Sequence, residues 1–233
     1  MYYDRATYTP LWVAYPLKSE HLGTGSKSSW EYSPLLSTDY QVNLRNNSYN
    51  DGYARGHLIP NASRNGIEAM QLQTYYVTNS VPQVANSFNG SIWNQLEGSV
   101  RNEVGDETIY VVTGVAFNKK VESKSITYTT AKDDTKNVPV PNYFYKLVLK
   151  VKQNGDVVTS AKTVGFWMEN KAYDKADYGN DSSLGWMALS AKYHCYSVDK
   201  IEEWTGFDFF ANLPDDIENS AEQNSSWSTF QSF

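Results

Sequence analysis

Tyr53-Ala54-Arg55-Gly56-His57-Leu58-Ile59-Pro60 is followed at short intervals by Thr78-Asn79-Ser80-Val81-Pro82-Gln83 and by Phe88-Asn89-Gly90-Ser91-Ile92-Trp93-Asn94-Gln95-Leu96-Glu97. A short strand through residues 54–58 is expected to present His57. Residues 74–78, TYYVT, have the β-branched and aromatic content of a second strand, and the two are expected to pair. After Asn89 the periodicity becomes helical, with Ile92, Trp93, Leu96 and Val100 recurring on one face. The motif residues thus fall on strand, strand and helix.

Working outward, PLWVAYPL at residues 10–17 reads as a buried strand bounded by prolines. Residues 18–52 are loop-like, with a flexible stretch at 23–29 and polar turn material at 46–52. Residues 108–115 and 143–152 read as strands, the second setting Phe144, Leu147 and Leu149 against Lys146, Lys150 and Lys152. Asn154-Gly155 is a hairpin turn leading into a strand over 157–168. Ser197 is a helix N-cap, Ile201 and Trp204 an apolar stripe, and Gly206 a stop. There is no internal repeat and no Pro-rich or charged linker. The expectation is one domain over 1–233, with a polar tail from Asn219 loosely held. The fold class is α+β, a mainly antiparallel central sheet with flanking helices.

Composition narrows the classes. The chain is 40% hydrophobic, 15% aromatic and 20% charged, globular rather than disordered. No apolar run approaches the roughly 18 residues of a membrane span. The start, Met1-Tyr2-Tyr3-Asp4-Arg5, lacks the apolar core of a signal peptide, so any targeting segment is expected to have been removed. The lone Cys195 excludes an internal disulfide. A net charge of −6 argues against a broad basic groove for nucleic acid, but it is unevenly spread. All five arginines lie within residues 1–101, where seven basic residues balance seven acidic ones, whereas 102–233 carry 13 lysines against 19 acids. A locally neutral, arginine-bearing half suits a small phosphate site.

The residue types supply matching chemistry. An imidazole serves as general base near neutral pH, an amide oxygen holds a hard cation that keeps most of its water, and an arginine grips phosphate oxygens bidentately. That is the equipment of a metal-dependent phosphodiesterase. His21 and His194, outside any such motif, read as structural.

YARGHLIP, TYYVTNSVPQ and FNGSIWNQLE, with PLWVAYPL before them and SVDKIEEWTGFDFFANLPDD after, resemble in content and order the DNA/RNA non-specific endonucleases of the ββα-metal, or His-Me finger, class. The resemblance spans most of the chain. It implies a ββα-metal finger active site with His57 as general base, Asn89 as the metal-binding amide, and Arg55, Asn79 and Glu97 as further catalytic groups. Arg55 also falls in the substrate-binding role. Lys27 is the nearest basic candidate for an upstream arginine that has no clear match. If Asn89 opens the helix, its Cα lies about 12 Å from that of Glu97 at about 1.5 Å rise per residue, which argues against both binding one ion directly. Ala54 departs from the family's usual Asp-Arg-Gly-His.

What the resemblance implies is a Mg²⁺-dependent enzyme, with Mn²⁺ or another divalent cation as substitutes, that hydrolyses DNA and RNA and leaves 5′-phosphate ends. It further implies a secreted or periplasmic location and no membrane partner. Two other readings remain at this stage. Ala54 and the net acidity suit a catalytically weakened member that binds nucleic acid or a protein partner. The 18 tyrosines and 7 tryptophans suit, less well, a carbohydrate-binding module.

Overall fold

The computed structural model describes residues 1–27 and 29–233; Ser28, within the stretch expected to be flexible, lies outside them. In chain order the strands are β1 (Tyr2–Asp4), β2 (Thr9–Leu17), β3 (Tyr53–His57), β4 (Ser80–Val84), β5 (Ile109–Ala116), β6 (Thr127–Thr129), β7 (Val138–Val140), β8 (Tyr143–Asn154), β9 (Val157–Glu169) and β10 (Cys195–Tyr196). The α-helices are α1 (Glu68–Thr74), α2 (Asn94–Asn102), α3 (Trp186–Tyr193), α4 (Val198–Thr205), α5 (Asp215–Glu222) and α6 (Trp227–Gln231). The principal sheet has the order β1-β2-β5-β8-β9-β10, antiparallel at every pairing. The chain is therefore α+β on an antiparallel sheet, as its patterning predicts.

The sheet is covered on both faces. Against one face pack Phe88, Ile92, Trp93, Leu96 and Val100 from the segment running into α2, and Trp227 and Phe230 of α6, meeting Val111, Phe144, Val148 and Phe166. Against the other, Val198, Ile201 and Trp204 of α4 meet Val112, Tyr145, Leu147 and Trp167, while Ala221 of α5 meets Leu149 and Ala161. Each fully buried large apolar side chain contributes roughly 1.5–3 kcal/mol. Local signals place the ends of these elements. Ser197 Oγ accepts from Lys200 N, and Gly206 closes α4 in the left-handed region at φ +74°, where an L side chain would be strained. Gly155, at φ +60°, turns β8 into β9.

Four expectations from sequence are corrected. The partner of β3 is β4, not residues 74–78, which instead end α1 and enter a 3₁₀ turn over Val77–Asn79. The aromatic content there serves packing, since Tyr75 stands against Trp30. Asn89 does not open a regular helix; it lies inside a wide, π-type stretch, Ala85–Trp93, kinked at Ser91, before α2 begins. Lys146 does not face solvent, because β8 is covered on both sides and Lys146 is 1% exposed. The tail is not loose: α6 places Phe230 fully in the core and Trp227 beside it. Among the described residues, no helix is long and apolar enough to cross a membrane.

Candidate active site

A cleft of about 290 Å³ is lined by His57, Asn61, Asn89, Asn94, Glu97 and Arg101, among others. The β3–β4 ladder, with His57 opposite Ser80 and Ala54 opposite Gln83, supplies one wall, and the wide turn running into α2 supplies the other. Asn89, in the π-type turn, and Glu97, on α2 after the kink at Ser91, line the same cleft.

His57 is held by two rings. Its imidazole lies 4.7 Å from the centroid of Trp30 and 5.2 Å from that of Tyr75, the latter edge-on at 90°. Nε2 is buried without a hydrogen-bond partner. Burial, and after it the positive charge of Arg55, lower the His57 pKa to about 4, so the ring is neutral at physiological pH and has a lone pair available.

Asn89 donates its amide nitrogen to Gln83 Oε1. This fixes the amide plane and leaves its carbonyl oxygen as the group to serve a ligand. Gln83 is fully buried and lies over Gly56, where a Cβ would stand 2.5 Å from Gln83 Oε1; only glycine lets the two pass. The other amide group of Gln83, Nε2, is buried with no acceptor.

Glu97 and Arg101 are one turn apart on α2, both in the cleft. Burial raises the proton affinity of the Glu97 carboxyl, opposed by the charges of Lys146 and Arg101. Lys146 comes from the sheet below, donates to Thr113 Oγ1 and stands 5.0 Å over the Trp93 ring. Burial lowers its own pKa, while Glu97 acts in the opposite direction. Arg101 keeps one buried Nη1 without a partner, so a donor remains available to an anion.

The other expected groups stand apart. Arg55 does not line the cleft: Nη1 donates to Leu44 O at 2.7 Å and the guanidinium covers the Trp30 ring at 4.9 Å. Asn79 is 2% exposed and its amide is fully engaged with backbone, donating to Ile59 O at 3.0 Å and Thr74 O at 2.9 Å and accepting from Ile59 N at 3.0 Å. It clamps the chain just after His57. Lys27 lines a neighbouring cleft with Gly25 and Gln71. The two clefts adjoin where Gln71 Nε2 donates to Asn61 Oδ1 at 2.9 Å. His21 and His194 are structural, against Arg64 and the Tyr178 hydroxyl respectively.

Sequence reasoning missed Arg101, Lys146 and the role of Gln83. The four-residue spacing of Glu97 and Arg101 could have revealed the first. Nothing local marks the second, because a lysine on a strand reads as solvent-facing.

The sequence profile of DNA/RNA non-specific endonucleases matches residues 1–216. This chain belongs to that family. A nuclease of Syncephalastrum racemosum is 29% identical over 187 residues, covering 75% of this chain and 57% of its own. Mitochondrial endonuclease G of Bos taurus is 27% identical, covering 91% and 66%, and that of Caenorhabditis elegans 30% identical, covering 91% and 65%. The endonuclease-family chain thus spans about half to two-thirds of the length of such relatives. A solved structure of the EndoG/EndoGI complex superimposes with a TM-score of 0.72 at 21% identity, over 92% of this chain and 84% of that one, and shares its fold. The expectation of a secreted or periplasmic location is overturned, because relatives similar over nine-tenths of this chain include mitochondrial nucleases.

Proposed function

We propose that the chain, acting as one domain, is a Mg²⁺-dependent endonuclease that hydrolyses phosphodiester bonds of DNA and RNA and leaves 5′-phosphate ends. One observation carries this reading: a neutral His57 with an unpartnered, buried Nε2 shares a cleft with Asn89, Glu97 and Arg101.

The donor set fits a hard cation. One neutral amide oxygen, oriented by Gln83, with a carboxylate in the same cleft, suits an ion that keeps several waters and binds few protein groups. Asn89 would hold it directly, and Glu97 would reach it through its waters. When bound, such an ion supplies Lewis-acid stabilisation of the charge that builds on the phosphate and the leaving oxygen.

His57 accepts the proton of the attacking water. Its pKa of about 4 keeps it unprotonated above mildly acidic pH, and the arrival of an anionic phosphate raises its basicity during the reaction. Arg101 donates to the phosphate oxygens. Arg55 contributes positive charge behind the imidazole, Asn79 holds the His57 loop in place, and Lys27 meets the nucleic-acid backbone on the adjoining cleft. Contacts of this kind address backbone rather than base edges, so base sequence should matter little.

Both rival readings make different demands. Among the described residues no tryptophan is an exposed large hydrophobic side chain, which deprives a sugar-stacking platform of its best rings. A weakened, binding-only member would leave plasmid DNA intact. Plasmid nicking and RNA degradation with Mg²⁺ and with chelator decide the matter, using wild type beside His57→Ala. The wild type should cut only with metal, and His57→Ala should lose about 10²- to 10⁴-fold with its fold retained. An inactive wild type, or a mutant near wild-type turnover, would refute the mechanism.

A further inference from the structure

On the face of the sheet opposite His57, α4 and α5 bring carboxylates together. Asp199 and Glu202 lie three apart on α4, and Glu222 ends α5. One oxygen from each lies within 4.8 Å of the others. Asp208 and Glu218 stand close enough to act on both Glu202 and Glu222.

Two observations separate this cluster from an ordinary acidic surface. Glu222, whose carboxylate belongs to the cluster, is 4% exposed, and its Oε1 is buried with no hydrogen-bond partner. A buried carboxylate oxygen without a donor is costly and calls for an explanation. In addition, the charged groups that act most strongly on Glu202 and Glu222 are carboxylates. A backbone donor, Phe209 N, reaches Glu202 Oε1 at 2.6 Å, and among the described residues none of the ion pairs includes Asp199, Glu202 or Glu222.

We propose that Asp199, Glu202 and Glu222 bind a structural Ca²⁺ that ties α4 to α5. Two oxygens facing one another across Ca²⁺ stand about 4.8 Å apart at a Ca–O distance near 2.4 Å, which the cluster accommodates. Several carboxylates on one ion suit Ca²⁺, which takes six to eight oxygens in flexible geometry, whereas Mg²⁺ keeps its waters and uses one or two. Helices α4 and α5 are joined by an irregular segment with Phe210 at φ +60°, packed on the sheet through Phe209, and an ion here ties the two helices together beside it. The site is independent of the cleft at Asn89.

The test uses the full chain stripped of metal, with CaCl₂ as the probe, read by thermal denaturation and calorimetric titration. At free Ca²⁺ about 100-fold above Kd, the melting temperature should rise by about 5–10 °C. Glu222→Gln should fold, melt at or above the metal-free wild type, and lose the response. Glu202→Gln should also lose it, which keeps the test decisive if the first variant is unstable. Asn89→Ala should keep the response. No Ca²⁺-dependent shift in wild type up to about 10 mM, well beyond weak extracellular-type sites, would overturn the proposal. So would a shift surviving both glutamine variants, or one abolished by Asn89→Ala.

Discussion

Replacing Ala54 with aspartate tests how this chain tolerates the loss of the family's usual acidic residue. Ala54 pairs directly with Gln83 across the β3–β4 ladder, so their Cβ atoms stand about 4.5–5.5 Å apart on one face. Gln83 is fully buried, its Oε1 takes the Asn89 amide, and its Nε2 has no acceptor. An aspartate at position 54 would offer that acceptor. A hydrogen bond to a charged group is worth about 1.5–3 kcal/mol net, from which the cost of placing another carboxylate in a half-buried position must be subtracted. The expected gain is about 1–2 kcal/mol, a rise of about 2–8 °C in melting temperature for a chain of this size. Because Asn89 is already oriented with alanine at position 54, the cleavage rate should change by no more than about tenfold, or about 1.4 kcal/mol of barrier. Thermal denaturation and single-turnover cleavage of one defined duplex, each for Ala54→Asp alone and in a Gln83→Leu background, measure both quantities. The stabilisation should vanish without Gln83. An equal gain in the Gln83→Leu background, or no gain with Gln83 present, would refute the assignment of the orphaned donor. Activity seen only with aspartate would mean that the natural chain binds without cutting.

Two further outcomes follow from the site. Asn89→Ala should raise the Mg²⁺ concentration needed for half-maximal cleavage by at least about tenfold, the scale on which altered metal surroundings act, while the acid limb of the pH profile stays in place; an unchanged metal requirement would remove Asn89 from the ligand set. Arg55→Gln should move that acid limb to higher pH, because the Arg55 charge helps to depress the His57 pKa and its loss lets the value rise toward 6.5. The same shift acts on stability. His57 folded at about 4 and unfolded near 6.5 binds more protons when unfolded, so wild type should lose stability as pH falls from 6.5 toward 4. Arg55→Gln should lose less over that window, as equilibrium unfolding at several pH values would register.

Much of this chemistry is legible without a fold, and the reason is that it is local. His57, Asn89 and Glu97 stand in short segments whose order and residue types carry the family resemblance. Ser197 and Gly206 mark the ends of α4 by capping physics that acts within four residues, and Asn154-Gly155 sets the longest hairpin by turn geometry alone. What sequence could not decide depends on which distant segments meet. The β3 partner is chosen by tertiary pairing, since TYYVT and SVPQV are both plausible strands and the aromatics of the first are drawn against Trp30 and His57. Lys146 is buried because its strand is covered on both faces, a property of the layers and not of β8. Arg55 turns to Leu44 and Trp30 while Arg101 takes the cleft. Helix α6 docks because the first face of the sheet leaves room for Trp227 and Phe230. The sequence by itself pointed to the family and to the segments that carry His57, Asn89 and Glu97. The tertiary structure decided which of them share a cleft, which are clamps behind it, and where unpaired buried groups remain, because each of those depends on burial and on neighbours tens of residues away.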